Sequence, residues 1–182
     1  MCGIVGIYLK SKKFEKSLGG MLSKMLVSME SRGPDSAGFA IYNSDKNKIY
    51  KYSICLNEMS FEKFKKEIKN KVKIKNIEKN SDHVILKSNE KPNKILPILE
   101  DFSTISLVGY GKSIEIFKQV GNPRTVVKKF NLDSFSGTHG IGHTRMATES
   151  AITTDGSHPY STGEDECLVH NGSLSNHNNL RR

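Results

Sequence analysis

The feature that most constrains this chain is a cysteine at position 2, which opens an apolar segment over 2–9 that is typical of a β-strand. Removal of Met1 would place the Cys2 thiol and a free α-amine on one terminal residue. An α-amine with an ordinary pKa of about 7.7 to 8 can act as a base beside that thiol. The alternative is that Cys2 is a buried strand residue, since free cysteines are among the most buried residue types.

The composition indicates one domain in a reducing compartment. The chain has 182 residues, enough for one domain with a core, although its hydrophobic fraction of 36% is on the low side for a compact protein. It contains neither a stretch of about 18 apolar residues nor a signal peptide with a preceding positive charge. Three cysteines at unrelated spacings argue against a disulfide framework, so we expect a cytoplasmic protein in which Cys55 and Cys167 serve packing.

The net charge of +9 raises nucleic-acid binding as an alternative function. The lysines of the segment 59–101 are interleaved with acidic and apolar residues, as on a solvated surface. That segment has no arginine and only two aromatic residues, so it lacks the stacking surface and the guanidinium groups of most nucleic-acid sites. We therefore expect neither a nucleic-acid nor a membrane partner.

The apolar pattern predicts a strand, a helix and then two more strands. Residues Phe14, Leu18, Leu22, Met25 and Met29 recur at helical spacing and predict a helix that ends near residue 31. The segment 32–36 contains Gly and Pro and breaks this helix. The alternating segments 38–42 and 49–52 then predict a β-hairpin.

The Lys-rich segment 59–108 predicts a small α-β-β-α-β insertion with a thin core of its own. Its expected elements are a helix over 61–69, strands over 72–77 and 83–87, a helix over 93–100 and a strand over 104–108. After it we expect strands over 113–118 and 140–144, separated by a helical turn over 123–130. A further helix is expected to begin near Ser175.

Two familiar motifs are incomplete. The segment 109–113 ends in Gly-Lys-Ser, but Ser106 stands where a phosphate-binding loop needs glycine and the next residues alternate like a strand, so a β-turn is favoured. His139, His143, Cys167 and His170 include zinc-ligand types. However, the two histidines of the first pair lie in a strand-like segment, where residues four apart do not converge as on a helix. We expect no metal site.

Two other segments offer groups that can bind negatively charged oxygen atoms. Arg145 lies among small hydroxyl-bearing residues at a strand end and can hold a carboxylate with two parallel hydrogen bonds, or it can form a surface ion pair. Asn171 and Gly172 place an amide side chain beside a flexible backbone N–H. Two donors aimed at one point suit an oxyanion, although Asn-Gly is also common in turns.

Five segments taken together closely resemble the class II glutamine amidotransferases, which are N-terminal-nucleophile hydrolases. The segments are Cys2-Gly3-Ile4-Val5-Gly6, Arg32-Gly33-Pro34-Asp35-Ser36-Ala37-Gly38, Gly142-His143-Thr144-Arg145-Met146-Ala147-Thr148, Ser157-His158-Pro159 and His170-Asn171-Gly172. Within the family, 145–150 and 173–179 are most similar to the free-standing amidotransferase subunit of split glutamate synthases and N-methylglutamate synthases. The resemblance covers both ends of the chain and leaves out the Lys-rich segment.

The resemblance implies an α+β fold, an αββα sandwich of two antiparallel sheets, together with a set of catalytic roles. Cys2 attacks the side-chain amide of glutamine, and Asn171 with the Gly172 N–H stabilises the oxyanion. The substrate-binding residues implied by the resemblance are Arg145, Thr148 and Met146, and the residues that shape the site are Arg32, Asp35 and His158. Met146 stands where many members carry an aromatic residue.

The resemblance also implies what lies outside the chain. No cofactor is expected on it, and ammonia would pass to a synthase subunit with flavin or iron–sulfur centres. Members usually continue past the His-Asn-Gly segment to an acidic residue that binds the α-ammonium group of glutamine. We therefore expect the front portion of a longer domain, incomplete at its C-terminus. Two alternatives stay open: a weakened subunit with a regulatory or scaffolding role, and an enzyme acting on a different amide, against which Arg145 argues.

Overall fold

The computed structural model describes residues 2–43, 49–147 and 151–172, which form an α+β fold with two four-stranded antiparallel sheets. The ten strands in these ranges are β1 (Gly3–Tyr8), β2 (Ser36–Tyr42), β3 (Tyr50–Cys55), β4 (Asn76–Asn80), β5 (His83–Ser88), β6 (Ser106–Gly111), β7 (Ile114–Val120), β8 (His139–Arg145), β9 (Tyr160–Gly163) and β10 (Glu166–Leu168). The four α-helices of the described residues are α1 (Leu18–Ser28), α2 (Phe61–Lys71), α3 (Pro92–Glu100) and α4 (Pro123–Phe130). None of these helices is long and apolar enough to cross a membrane.

The first sheet has the order β1-β8-β2-β7 and the second has the order β4-β5-β3-β6, while β9 and β10 form a short separate hairpin. Helices α1 and α4 bury Leu22, Leu26 and Phe130 against the first sheet. Helices α2 and α3 bury Phe64 and Ile95 against the second. This arrangement is compatible with the expected sandwich.

A third apolar cluster joins the two sheets. Ala40 and Ile116 of the first sheet are fully buried in it together with Val108 of the second. The Ser53 hydroxyl on β3 also accepts a hydrogen bond from the Ile116 N–H on β7, at 3.0 Å. The inner faces of the two sheets are therefore in contact.

The predicted hairpin of β2 with β3 is wrong. β2 pairs with β7 and β8 in the first sheet, whereas β3 pairs with β5 and β6 in the second. Both strands are buried on both faces because each lies in the middle of its sheet and each sheet is covered on both sides. Alternation along a strand shows which faces are buried but does not identify the partner strand.

The predicted α-β-β-α-β order of the Lys-rich segment is confirmed, but its core is not its own. Its strands β4, β5 and β6 share a sheet with β3, and Tyr52, Ile54 and Leu56 belong to the core that α2 and α3 cover. Val72, expected to open a strand, ends α2 instead, and β4 begins at Asn76. That the segment is an insertion stays a prediction.

Several other predicted strands and helices are present, but their first or last residues differ from the prediction. The predicted strands over 113–118 and 140–144 are confirmed as β7 and β8, and the helical turn over 123–130 is a full helix capped by Asn122, whose side chain accepts from the Thr125 N–H at 2.8 Å. The first predicted helix is α1 preceded by a 3-10 turn (Lys12–Ser17), on which Phe14 is exposed. The helix expected near Ser175 falls outside the described residues.

Candidate active site

Cys2 lies where four of the five recognised segments meet. It directly precedes β1, whose Gly3 pairs with Thr144, so that Cys2 lies beside the end of β8. The Cys2 Sγ is 4.0 Å from the Met146 carbonyl oxygen. The Cys2 carbonyl accepts hydrogen bonds from the Arg32 Nε at 3.4 Å and from the Asn171 Nδ2 at 3.0 Å. Cys2 is half-exposed, so the alternative that it is a buried strand residue does not hold.

The segment that carries Arg32 and Asp35 is fixed against the end of β8. The Asp35 N–H donates to the Arg145 carbonyl at 3.1 Å, and the Asp35 carboxylate accepts from the Ala147 N–H at 2.8 Å. Gly33, which lies between Arg32 and Asp35 in the chain, packs against the backbone of β8: a Cβ at this position would lie 2.4 Å from the Thr144 carbonyl carbon. A glycine is therefore required for this segment to bring Arg32 to Cys2.

Arg145 is the last residue of β8 and is 9% exposed. One of its guanidinium nitrogens, Nη1, donates to the Ala151 carbonyl at 3.3 Å. Met146, the next residue, is 45% exposed and forms part of the open surface beside Cys2. Thr148, the third predicted substrate-binding residue, lies outside the described residues, as does Met1.

His143 supports the site in a way that the sequence did not indicate. It lies fully buried on β8, and its Nε2 is 2.9 Å from the His170 carbonyl oxygen. Since a carbonyl can only accept, the Nε2 carries the proton. Burial, together with the Arg145 charge, lowers the pKa of His143 to about 4 even though the hydrogen bond to His170 opposes this change. His143 is therefore a neutral side chain that holds the backbone immediately before Asn171.

His158, predicted to shape the site, packs on His143 with ring centroids 4.0 Å apart. Burial, and after it the neighbouring His143, lowers the pKa of His158 to about 3. Both imidazoles are thus neutral at neutral pH. Their rings pack the loop that contains His158 against the strand that contains His143.

Asn171 and Gly172 come after β10 at the end of the described chain, and both are exposed. One N–H of the Asn171 amide is used by the Cys2 carbonyl, and an amide nitrogen carries two. The structure thus brings Cys2, Arg32 and Asn171 into direct contact, with Asp35, Arg145, Met146 and His158 in the surrounding layer. The chemical roles of these residues stay predictions.

The Gly-Lys-Ser segment is the turn between β6 and β7, as expected. The backbone N–H groups of Lys112, Ser113 and Ile114 all donate to the Asp165 carboxylate, at 2.7 to 3.0 Å. A turn that could hold a phosphate instead holds a carboxylate of its own chain. This contact attaches the hairpin of β9 and β10, and with it the approach to Asn171, to the second sheet.

The residues considered as zinc ligands have other partners. His139 stacks on Tyr42 with ring centroids 4.2 Å apart, and the Cys167 Sγ is 3.4 Å from the Tyr42 hydroxyl. Within the described part of the chain, the only cluster with metal-ligand geometry is Cys55, Asp82 and His83. There the Asp82 carboxylate already pairs with Lys129 at 2.8 Å, which competes with a cation.

Comparison with known proteins identifies relatives that align with the whole of this chain. The chain is 46% identical to the glutamine amidotransferase-like protein GlxB of Rhizobium meliloti (strain 1021), over all of this chain and 62% of the relative. It is 30% identical to a putative glutamine amidotransferase of Methanothermobacter thermautotrophicus, over all of this chain and 64% of the relative. The names of both relatives support a relationship of this chain to glutamine amidotransferases.

A more distant relative has a longer chain. The glutamine--fructose-6-phosphate aminotransferase of Methanococcus maripaludis is 36% identical over 102 residues, which are 51% of this chain and 17% of the relative. No model of a known protein family matches the chain. The chain spans less than two thirds of the length of the first two relatives.

Proposed function

We propose that this chain carries the glutamine-hydrolysing site of an amidotransferase, with Cys2 as an N-terminal nucleophile in the fold of the N-terminal-nucleophile hydrolases. The observation that carries the proposal is the meeting of Arg32 and Asn171 on the Cys2 carbonyl. These residues lie 30 and 169 positions away in the chain. The names of the relatives support the same activity.

The chemistry begins with removal of Met1, which frees the α-amine of Cys2. This amine takes the thiol proton as the sulfur attacks the side-chain carbonyl carbon of glutamine. The C–N bond of the tetrahedral intermediate then breaks, and the amine returns the proton to the departing nitrogen, which leaves as ammonia. Water attacks the resulting thioester, and the S–C bond breaks to give glutamate and the free thiol.

Asn171 and Gly172 would stabilise the negative oxygen of both tetrahedral intermediates. The Asn171 amide already lies at Cys2, and His143 holds the preceding carbonyl in place. A donor that is fixed before the reaction needs no reorganisation when charge develops on the oxygen. Gly172 would add its backbone N–H from the neighbouring position.

Arg145 would bind the α-carboxylate of glutamine, with Thr148 and Met146 completing the pocket. The support is that Arg145 ends β8 and directly precedes Met146, whose carbonyl faces the Cys2 Sγ. A guanidinium holds a carboxylate with two parallel hydrogen bonds, which fixes orientation as well as charge.

The test is a direct assay of glutamine hydrolysis that measures glutamate and ammonia together. We expect both products in equal amounts from the wild type and neither from Cys2→Ala. The matched control is Cys167→Ala, whose thiol contacts Tyr42 away from the site and whose activity should persist. Equal product formation by the wild type and Cys2→Ala would refute Cys2 as the nucleophile, and no product from either would leave the regulatory or scaffolding role.

We also propose that the ammonia passes to a separate synthase subunit with flavin or iron–sulfur centres. The support is the likeness of 145–150 and 173–179 to the subunits of split glutamate synthases and N-methylglutamate synthases. The measurement is glutamine hydrolysis with and without a purified subunit of that kind. A rise in rate together with loss of free ammonia would support the transfer, and unchanged free ammonia would refute it.

A further inference from the structure

A buried lysine of the first sheet contacts the backbone that surrounds Arg145. Lys118 lies on β7 and is 5% exposed. Its Nζ donates to the Asp155 carbonyl at 3.1 Å and to the Ser157 carbonyl at 2.9 Å. A buried ammonium is costly unless it is hydrogen-bonded, and the burial here lowers the pKa of Lys118 to about 8. Here the two hydrogen bonds offset part of this cost, and both go to carbonyls of the same loop.

The residue between those two carbonyls faces Arg145. A Cβ built on Gly156 would lie 3.2 Å from the Arg145 Nη1, so this glycine packs directly against the guanidinium. The same Nη1 donates to the Ala151 carbonyl at the start of the segment 151–157. The segment therefore contacts Arg145 at both ends, and Lys118 holds its second end from the other side.

Two further contacts give this segment a defined position. The Tyr160 hydroxyl donates to the Gly156 carbonyl at 2.8 Å, and the Lys118 Nζ lies 4.9 Å from the centre of the Tyr160 ring. Gly38, which pairs with Lys118 across β2 and β7, leaves room for the chain to approach. A Cβ at position 38 would lie 2.2 Å from the His158 carbonyl oxygen.

We infer that Lys118 is a positioning residue for the glutamine site: by holding the carbonyls on both sides of Gly156, it fixes the segment 151–157 that orients the Arg145 guanidinium toward the substrate carboxylate. This inference rests on the proposed function, because it concerns the same pocket. It assigns to Lys118 a part in recognising the α-carboxylate and no part in the bond-breaking steps.

The experiment compares two electrophiles that react with Cys2 in the full chain. One is a glutamine analogue with an α-carboxylate, 6-diazo-5-oxo-norleucine, and the other is iodoacetamide, which has none. Lys118→Met removes the ammonium and keeps the apolar stem. Because a misplacement of about 1 Å can cost about 100-fold in rate, we expect labelling by the analogue to fall between about tenfold and about 100-fold, with iodoacetamide labelling unchanged.

The matched control is Lys51→Met. Lys51 is also a buried strand lysine, but its Nζ pairs with Glu115 at 3.1 Å and with Asn43, away from the segment. This control should lose stability and keep the preference for the analogue. A general loss of packing would affect Lys51→Met and Lys118→Met alike, and that result would overturn the inference.

A variant on the loop side covers the case in which Lys118→Met does not fold. Gly156→Ala places a methyl group 2.9 Å from the Thr153 Oγ1 and 3.2 Å from the Arg145 Nη1, so it displaces the segment 151–157 at the guanidinium while Lys118 stays intact. We expect the same selective loss with the analogue. An unchanged preference in whichever of the two variants folds overturns the inference while the proposed function stands. A wild type with no preference for the analogue over iodoacetamide overturns both.

Discussion

Replacing His143 by phenylalanine should make the protein less sensitive to mild acid. In the native chain the imidazole is fully buried and neutral, with its Nε2 proton on the His170 carbonyl. A phenylalanine ring has similar size but cannot be protonated. At neutral pH the variant should lose about 1 kcal/mol, the usual net value of one hydrogen bond.

The magnitude of the acid effect comes from the two pKa values of this group. The native pKa of His143 is lowered from 6.5 to about 4 by burial and by the Arg145 charge. As the pH falls, the unfolded chain binds the proton first, so stability is complete above about pH 6.5 and decreases until the native group titrates near about pH 4. Between about pH 7.5 and about pH 5, this group lowers the free energy of unfolding by about 2 kcal/mol.

The assay is urea denaturation of both proteins at these two pH values. His139→Phe is the control, because His139 lies on the same strand but is only half-buried, and its pKa is lowered by burial alone. On acidification, the free energy of unfolding should fall by about 2 kcal/mol less in His143→Phe than in the wild type. The corresponding difference between His139→Phe and the wild type should be smaller. Equal acid losses in the wild type and His143→Phe would refute the assigned protonation state.

Two further predictions concern the reaction itself. Asn171→Ala should lower kcat for glutamine by about 100-fold to about 1,000-fold, because its amide would contact the oxyanion rather than the ground-state carbonyl; steady-state kinetics check this, and an unchanged kcat would remove Asn171 from the site. Arg145→Lys should raise the KM for glutamine although the charge survives, because an ammonium cannot reproduce the planar guanidinium. A simple amide without an α-carboxylate should be affected much less, and equal losses on both substrates would show that Arg145 is structural.

The sequence predicts where helices and strands lie better than it predicts which strands pair. The run over 140–144 gave β8 within one residue at each end, because its alternation and its flanking turns are local signals. The pairing of β2 and β3 could not be obtained in this way. A strand between two others, covered on both faces, has the same apolar pattern whichever strands lie beside it.

The site shows the same division between side-chain motifs and backbone contacts. Cys2, Arg32 and Asn171 could be assembled from the sequence because their motifs carry distinctive side chains, and the structure brings them into contact. His143 and Lys118 could not be assigned. Each acts on carbonyl groups 27 to 39 residues away, and a carbonyl has no sequence signature.

The central claim, that Cys2 is the nucleophile, is tested most directly by locating the site of covalent labelling. The chain is treated with a glutamine-analogue electrophile and examined by intact-mass and peptide mass spectrometry. Burial raises the pKa of both Cys55 and Cys167, which keeps those thiols protonated and unreactive at neutral pH. We predict one label, on a Cys2 that has lost Met1, and protection by glutamine. A label on Cys55 or Cys167, or labelling of Cys2 that glutamine does not slow, would contradict the claim.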